Sequence, residues 1–459
     1  MAAMPTTTTA VLEHCQVTPP PDAEAEKLLH LTHSDIWWLP SIISQIVLFY
    51  EIPCSKTRFL ETVIPNLKYS LSLTLKHFLP MAGNLFLPLG SGMPVCRYTK
   101  GDSVPVTIAI SDSDFVHLTG NHPRSANEFR GFVSQLPPLV NHSPESIKIP
   151  PFAIQITLFP NKGICIGFTI HHSLCDGAAL LNFIKTWASI TDSNSDTHAQ
   201  WLPFYDRTTF QDLDGLDSIR WNQVKVSRPT IPTSFSNNKV RATFVLSKDD
   251  VQKLKDVVLE RRPNIAYVST FTVACAYVWV SIAKLTVVVE EEVADNEPDY
   301  FIFSADCRGR LNPPLPGTYF GNCLALMKAE TSHGVLKGNE GFLEAVEAIG
   351  EEIRKTVYNE NGVLDSIRKR STVEFKSLIG KRVLYVAGSP RLDIYGVDFG
   401  WGKVKKYESV NIDLYRSISI YKSREIEGGL EIGFSGSNIQ MDAFTTIFKE
   451  GLNSSSNPI

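Results

Sequence analysis

Cysteine is scarce in this sequence, and the cysteines that occur follow no metal or redox motif. Only eight are found among 459 residues. No two form a CxxC pair, and none lies beside histidines at the spacing of a zinc site. We therefore expect reduced thiols and no bound metal. The eight are Cys15, Cys54, Cys96, Cys165, Cys175, Cys275, Cys307 and Cys323.

An excess of charge of either sign is also missing. The formal net charge is -4, and the chain has no long basic run. It therefore offers no electrostatic surface for nucleic acid or for an anionic membrane. The segment MAAMPTTTTAVLEHC lacks the basic stretch and long apolar run of a secretory signal. We expect a cytoplasmic monomer whose partners are small molecules.

Long apolar runs are rare, and one of them approaches the length of a membrane span. It is AYVSTFTVACAYVWVSIA, residues 266–283. Its serine and threonine content, its interior alanine and cysteine, and the following Lys284 equally fit a helix buried on all sides in a large core. Because the chain has no other membrane signal, we predict the buried helix.

The chain is longer than one hydrophobic core usually supports, so two domains are expected. Strand and helix patterns mix in both halves without a tandem repeat, which predicts the α/β class with mixed sheets. Residues 201–238 are polar and irregular. We predict that they form a crossover between an N-terminal domain, residues 1–200, and a C-terminal domain, residues 239–459.

Apolar spacing predicts several individual elements. Alternation in FAIQITLF and ICIGFTI, separated by PNKG, predicts a hairpin over residues 152–170. Helical spacing in GAALLNFIKTWASI predicts a helix from residue 177. A second amphipathic helix is expected in TRFLETVIPNLKYSLSLTLKH, ended by Pro80 and Gly83. Later, we expect VRATFVLS as a strand, SKDDVQKLKDVVLE as a capped helix, a helix marked by Phe342 and Val346, and a hairpin of SISIYKS and LEIGFS.

His172 is the strongest candidate for a catalytic residue. It begins the only HxxxD match in the chain, HSLCD, although about half a match is expected by chance. The match falls between the predicted hairpin and the predicted helix, where catalytic side chains are often displayed. Histidine suits the removal of a proton from a hydroxyl near pH 7. His171 should face the opposite side of the strand, so only one of the two reaches a substrate.

The other polar residues of HHSLCDG favour different roles. Asp176 comes directly before a helix, where aspartate commonly caps free N–H groups, so we expect a structural role. Ser173 or Cys175 could act as the nucleophile of a hydrolase. Neither lies in a GxSxG elbow or in a recognisable cysteine-protease motif, which argues against this alternative.

Two further segments carry residues that could be functional. Asp398-Phe399-Gly400-Trp401-Gly402 contains glycines that permit a tight turn and a tryptophan that offers an apolar wall and an N–H donor. The kinase motifs that would accompany a DFG triplet are absent. Two alternatives remain open: the segment contacts a ligand, or it is a structural turn between strands that is filled by an aromatic side chain. In ADCRGRL, arginines beside Asp306 are more often a structural ion-pair network than a ligand clamp.

Taken together, HHSLCDG and DFGWG resemble the two motifs of the plant BAHD acyl-CoA-dependent acyltransferases. TYFGNC, residues 318–323, resembles the further motif of their anthocyanin and flavonoid-glycoside branch. The segments SLSLTLKHFLPMAGNL, FTVACAYVWV, ADCRGRLNPPLP and VAGSPRLDIYGVDFGWGK look like the malonyltransferases of this branch. The resemblance therefore covers nearly the whole chain.

The resemblance implies two similar-sized domains of the chloramphenicol acetyltransferase type with a channel between them. His172 would deprotonate the acceptor hydroxyl, which attacks the thioester directly, without a covalent acyl-enzyme or a permanently bound cofactor. Asp176 would point away from the channel and pair with Arg308. The DFGWG loop, with Asp398, Gly400 and Gly402, would be structural. Trp401 could donate to the developing oxyanion.

For the substrates, the resemblance implies malonyl-CoA as co-substrate and the 6-hydroxyl of a sugar on a flavonoid or phenolic glucoside. A hydroxycinnamoyl-CoA donor and a catalytically silent binding protein of the same fold are the alternatives. A malonyl carboxylate cannot be buried unpaired, so a cation must meet it. We expect Arg382 or Arg391 rather than Lys381 or Lys403, because a guanidinium binds a carboxylate with two parallel hydrogen bonds.

Overall fold

A computed structural model describes most of the chain. The described residues are 9–40, 43–143, 146–193, 201–208, 212, 215–225, 238–289, 292–359, 361–369, 377–414 and 416–453. The strands are β1 (Thr9–Val17), β2 (Glu26–His30), β3 (Ile43–Glu51), β4 (Asn84–Pro88), β5 (Val95–Thr99), β6 (Val104–Ser111), β7 (Arg124–Ser125), β8 (Val140–Ser143), β9 (Ser146–Ile149), β10 (Phe152–Phe159), β11 (Gly163–His171), β12 (Val240–Leu246), β13 (Pro298–Asp306), β14 (Leu324–Ser332), β15 (Arg382–Ala387), β16 (Lys406–Ser409), β17 (Ser417–Lys422) and β18 (Leu430–Gly436).

Helices lie between these strands throughout the chain. The α-helices are α1 (His33–Ile36), α2 (Lys56–Arg58), α3 (Ile64–His77), α4 (Leu79–Ala82), α5 (Phe115–Thr119), α6 (Ala126–Arg130), α7 (Gly177–Ser193), α8 (Leu216–Val224), α9 (Lys248–Arg261), α10 (Thr270–Val288), α11 (His333–Lys337), α12 (Gly341–Val357), α13 (Gly362–Lys369) and α14 (Asn438–Asn453). A π-helical turn spans Phe59–Val63, and 3₁₀ turns span Arg308–Arg310 and Val410–Asp413.

The first large sheet has six strands in the order β1-β6-β10-β11-β3-β16. Its centre is the predicted hairpin, in which β10 and β11 pair antiparallel. Every residue of both strands is buried, because α7 and other elements cover the two faces of the sheet. The β10–β6 pair is parallel whereas the other pairs are antiparallel, so the sheet is mixed as predicted.

The second large sheet has seven strands in the order β14-β13-β15-β17-β18-β12-β7. It includes the predicted late hairpin, in which β17 and β18 pair antiparallel. A third sheet, β2-β5-β4-β9-β8, has five strands. Two large hydrophobic cores surround the six- and seven-stranded sheets. The predicted α/β class with two sheet-rich parts is confirmed.

Each large sheet takes one strand from the opposite half of the chain. β16, from the C-terminal half, pairs with β3 in the six-stranded sheet. β7, from the N-terminal half, pairs with β12 in the seven-stranded sheet. A buried ion pair links these strands, since Arg124 of β7 lies 2.8 Å from Glu408 of β16. The two parts therefore interlock, and the division at 200 and 239 stays a prediction.

The helix expected from residue 57 onward forms with two local changes. All five apolar residues that define its predicted buried face are buried: Phe59, Val63, Leu67, Leu71 and Leu75. The first turns widen into the π-helical turn before Pro65, which has no N–H to donate to the preceding turn. The helix ends at His77, and Pro80 lies inside the short α4 that follows.

The long apolar helix is α10, and it is the one described helix whose length and composition would allow it to cross a membrane. Its most apolar window is 78% buried inside the protein. It packs against α12 and α14 in the second large core. The prediction of a buried core helix is confirmed, and Ser269 caps its N-terminus.

Only part of the predicted crossover lies within the described residues. Its described part contains α8 and an isolated bridge between Phe204 and Tyr319. Arg207 reaches from this segment to the carboxylate of Asp35. The crossover therefore brings a side chain to the region around His172.

Candidate active site

A cavity of about 1780 Å³ contains the strongest sequence candidate, His172. Residues from both halves of the chain line it, among them Trp38 and His172 from the first half and Phe303 and Arg391 from the second. Such a cavity is large enough for two substrates of moderate size.

The junction between β11 and α7 holds His172 at this cavity. β11 ends at His171, whose N–H donates to the Pro151 carbonyl at 2.7 Å. α7 begins at Gly177, and the Asp176 side chain caps it by accepting from the Ala179 N–H at 3.1 Å. HHSLCDG therefore forms the predicted strand-to-helix junction.

Two side chains contact the His172 imidazole directly. Its Nδ1 lies 3.1 Å from Oδ1 of Asn322. The indole of Trp38 stacks on it with ring centroids 4.1 Å apart and planes 26° apart. Among the described residues, Nε2 has no hydrogen-bond partner. One nitrogen and one face of the ring are therefore held, and the second nitrogen is left for a ligand.

Burial lowers the pKa of His172 below its ordinary value. Asp176, the backbone carbonyl of His172, Asn322 and Asp35 each oppose this shift by favouring the charged ring. The net effect keeps the imidazole neutral near pH 7, which is the form that can accept a proton.

His171 and Ser173 form a buried pair behind the site. Nδ1 of His171 lies 2.7 Å from the Ser173 hydroxyl, and both residues are buried. Burial, with a smaller effect of His172, lowers the pKa of His171 to about 4. Burial also raises the pKa of the Cys175 thiol well above its ordinary range. Ser173 does not line the cavity, and Cys175 lines it but keeps its thiol protonated, so neither meets the needs of a nucleophile.

Asp176 makes an ion pair with Arg308, the partner that the family resemblance implies. Nη1 of Arg308 lies 2.9 Å from Oδ2, and Nη2 donates to Oδ1 at 3.0 Å. Both side chains are buried. Asp306 also lies 3.0 Å from the Arg308 guanidinium. These contacts agree with the structural role expected for Asp176. The expectation that Asp176 lies away from the channel is not met, because Asp176 is among the residues that line the cavity.

The TYFGNC segment packs against HHSLCDG. The Cys323 N–H donates to Asp176 at 3.0 Å, and Asn322 Nδ2 donates to the His172 carbonyl at 2.9 Å. Arg308 Nη2 donates to the Gly321 carbonyl at 3.1 Å. Two segments about 150 residues apart in the chain are thereby fixed to each other.

The DFGWG segment forms a tight turn outside the cavity. Asp398 Oδ1 accepts three N–H groups, from Gly400, Trp401 and Gly402, at 2.8 to 2.9 Å. Gly400 and Gly402 have φ values of 82° and 90°, which favour glycine. This geometry supports the second alternative, a structural turn that is filled by an aromatic side chain.

Trp401 does not line the cavity. Its ring stacks on Phe399 with centroids 5.4 Å apart and meets Tyr50 edge to face at 5.6 Å. A donor to an oxyanion must lie beside the reacting carbonyl. The structure therefore gives no support to Trp401 in that role.

The two candidate arginines for an acyl carboxylate lie in different environments. Arg382 is buried, does not line the cavity, and has its Nε 3.3 Å from Asp299. This ion pair removes Arg382 from the expected role, because the guanidinium already has a carboxylate partner. Arg391 is exposed, lines the cavity and forms no ion pair within the described ranges.

Sequence reasoning missed Trp38, Asp35 and Arg207, and assigned no role to Asn322. Trp38 belongs to a run, DIWWLP, whose apolar character is as typical of a core as of a site. Asn322 lies in a recognised motif, but its neighbour His172 is distant in the chain. No local pattern indicates such contacts.

One group of possible metal ligands occurs among the described residues. Ligand atoms of His33, Asp212 and Asp217 all lie within 4.8 Å of one another. Nδ1 of His33 is 2.9 Å from Asp217, which accounts for that contact as a hydrogen-bonded pair. None of the three lines the cavity.

Comparison with known proteins identifies the family. Residues 11–450 match the model of the Transferase family. Phenolic glucoside malonyltransferase 1 of Nicotiana tabacum is 43% identical over 452 residues, which are 96% of this chain and 99% of that protein. Malonyl-coenzyme A:anthocyanin 3-O-glucoside-6''-O-malonyltransferase of Dahlia pinnata is 41% identical, with 97% of each chain covered.

The crystal structure of vinorine synthase is similar, with a TM-score of 0.70 over 95% of this chain and 96% of that chain. At 20% identity, this likeness shows the fold. The fold and the family model define a transferase. The chain belongs to the BAHD family, as its motifs predict, and is an acyl-CoA-dependent acyltransferase that uses an acyl-CoA as co-substrate.

Proposed function

We propose that this enzyme transfers a malonyl group from malonyl-CoA to the 6-hydroxyl of the sugar on a flavonoid or phenolic glucoside. The names of the relatives at 41–43% identity support this donor and this class of acceptor. The observation that carries the proposal is the neutral His172 at the wall of a cavity shared by both halves of the chain. An unpaired Nε2 suits the removal of a hydroxyl proton.

His172 acts as the general base. Its Nε2 takes the proton of the sugar hydroxyl while the oxygen forms a bond to the thioester carbonyl carbon. The resulting tetrahedral intermediate collapses, and the bond from carbon to sulfur breaks. The proton held by His172 neutralises the departing thiolate, so the products are the malonyl ester and coenzyme A. The acyl group passes directly from donor to acceptor, and no residue of the chain is acylated.

The malonyl carboxylate binds Arg391. This arginine lines the cavity and has no acidic partner within the described ranges, so it can accept a new carboxylate without breaking an ion pair. A guanidinium that meets a carboxylate in a partly desolvated site forms charge-assisted hydrogen bonds. Acetyl-CoA lacks this group and gains nothing from Arg391.

The remaining motif residues have structural roles. Asp176 and Arg308 hold the His172 loop, and Asp398 with Gly400 and Gly402 forms a turn. We further propose that the enzyme works in the cytoplasm as a monomer.

An assay with purified protein tests this proposal. The protein is incubated with malonyl-CoA, coumaroyl-CoA or acetyl-CoA and a set of flavonoid and simple phenolic glucosides, and products are identified by mass spectrometry and NMR. We expect a 6-O-malonyl ester as the main product. Preferred use of coumaroyl-CoA would show that the proposed donor is wrong and that the enzyme is a hydroxycinnamoyltransferase. Absence of transfer with every acyl-CoA would favour a catalytically silent binding protein.

A further inference from the structure

The side-chain amide of Asn322 has partners that allow only one orientation. Its Nδ2 donates to the His172 carbonyl at 2.9 Å and to Oδ1 of Asp35 at 3.0 Å. Both partners are acceptors only. The reverse orientation would place an amide oxygen against two other oxygens. Oδ1 of Asn322 must therefore be the atom that faces Nδ1 of His172 at 3.1 Å.

This orientation decides where the proton of His172 lies. The Oδ1 atom can only accept, so Nδ1 must carry a hydrogen. A neutral imidazole has one N–H, and its other nitrogen then has a free lone pair. That nitrogen is Nε2, which has no partner among the described residues and belongs to a side chain that lines the cavity.

Asp35 keeps Asn322 in place. The Asp35 carboxylate is completely buried and accepts from the Asn322 N–H at 2.8 Å as well as from its Nδ2. Oδ2 accepts from the N–H and the hydroxyl of Thr32 at 3.0 and 2.9 Å. Arg207 Nη1 forms an ion pair with the same oxygen. Five hydrogen-bond donors therefore hold the Asp35 carboxylate in one position. Two of these donors belong to Asn322, so the carboxylate in turn holds the side-chain amide of Asn322.

Arg207 also fixes the backbone before Asn322. Its Nη2 donates to the Phe320 carbonyl at 3.1 Å. Gly321 has φ of 138°, and an added Cβ would lie 2.8 Å from Nη2 of Arg207. Glycine thus lets the guanidinium approach the chain directly beside Asn322.

From these contacts we infer that Asn322, held by Asp35, is a positioning residue that fixes the proton of His172 on Nδ1 and leaves Nε2 as the base. The inference rests on the proposed role of His172. It assigns functions to residues from three separate segments: Asp35, Arg207 and Asn322.

A merely structural Asn322 would hold the loop through the His172 carbonyl and would leave the tautomer undetermined. The two roles differ in a measurable way. The nitrogen chemical shifts of His172, measured by NMR on ¹⁵N-histidine-labelled full-length protein without substrates, report which nitrogen carries the proton. The signals of His172 are those missing from the His172→Gln variant.

In the wild type at pH 7.5, we expect a protonated Nδ1 and an unprotonated Nε2. In Asn322→Ala, the Nδ1 shift should move toward that of an exchanging imidazole, and kcat should fall about 10- to 100-fold, a fraction of the full effect of a general base. The KM for malonyl-CoA should change less than about twofold, because Asn322 does not line the cavity.

The pH profile of kcat/KM is a further readout. The hydrogen bond with Asn322 and the charges of Asp35 and Asp176 raise the pKa of His172. The His172 ring in turn lowers the pKa of the neighbouring His171. Arg308 pairs with the carboxylate of Asp176, and Arg207 pairs with the carboxylate of Asp35. Loss of Asn322 should therefore move the acidic limb of the profile to lower pH, since His172 then becomes protonated only at lower pH.

Asn84→Ala is the matched control. Asn84 is also a buried asparagine whose amide donates to an aspartate, Asp102 at 3.1 Å, but it lies in the small sheet away from the cavity. Its loss should reduce stability and leave both the His172 shifts and the profile unchanged.

A wild-type Nε2 that carries the proton would overturn the inference, and so would an Asn322→Ala protein with wild-type shifts and rate. The wild-type measurement needs no variant, so it remains decisive if Asn322→Ala fails to fold. It also needs no substrate: a chain that does not use malonyl-CoA would disprove the proposed donor without affecting the tautomer.

Discussion

The indole of Trp38 covers one face of the His172 imidazole, with ring centroids 4.1 Å apart. In the proposed mechanism His172 takes the proton of the acceptor, and its ring then becomes a cation beside the electron-rich face of the indole. Such a cation–π contact contributes about 0.5–2 kcal/mol. We therefore expect Trp38→Leu to lower kcat by roughly two- to thirtyfold, and Trp38→Phe to lower it less. Steady-state kinetics of both variants measure the effect, and equal rates for Leu and Phe would exclude it.

His172→Ala should abolish transfer, because removal of a general base costs a factor of about 10²–10⁴ in rate. The folded variant should still bind coenzyme A, as measured by calorimetry. His171→Ala is the comparison, because His171 is buried against Ser173 and does not line the cavity. A loss as large in His171→Ala would mean that the base has been misassigned.

Asp176→Asn should damage folding more than the proton transfer itself, because it leaves the buried Arg308 guanidinium without its buried charged partner and with only the exposed carboxylate of Asp306. Breaking a buried pair in this way costs about 3–5 kcal/mol. Arg308→Ala should have a similar effect on the free energy of unfolding. In a double-mutant cycle, the double variant should be little worse than either single one. Fully additive losses would argue against the coupling.

Arg391→Ala should raise the KM for malonyl-CoA about 10- to 100-fold, from the loss of charge-assisted hydrogen bonds worth about 1.5–3 kcal/mol. The KM for acetyl-CoA should stay nearly unchanged. Lys403→Ala, an exposed cation outside the cavity, serves as control. If Arg391→Ala leaves the preference for malonyl-CoA over acetyl-CoA intact, another cation binds the carboxylate.

The stability of the protein should fall as pH drops from about 6.5 to 4. Burial lowers the pKa of His171 to about 4, whereas the unfolded chain has the ordinary value of about 6.5. Between these values the unfolded state binds a proton that the folded state excludes, so acid favours unfolding. Urea unfolding at pH 7.5 and pH 5 should show a smaller loss of stability in His171→Gln than in the wild type. Identical losses would contradict this account.

Local patterns in the sequence predict those parts of the fold whose burial repeats along the chain. The hairpin of β10 and β11, the helix α7 after Gly177 and the buried helix α10 each carry such a repeat, and each forms. The exchange of β7 and β16 between the sheets carries none, because two to four residues hold too little periodicity to indicate a partner strand.

The candidate site divides in the same way. His172 could be found from its motif and its place between a strand and a helix, and the family could be recognised from HHSLCDG, TYFGNC and DFGWG. The sequence by itself thus determined the fold class and the type of reaction, and it indicated His172 as the candidate base. Only the tertiary structure decided what surrounds the base: Trp38 on its face, Asn322 on Nδ1 and Asp35 behind Asn322. Those contacts join residues as many as 287 positions apart. Periodicity reports which side chains are buried, but the partner that satisfies a buried polar group is chosen by packing between distant segments.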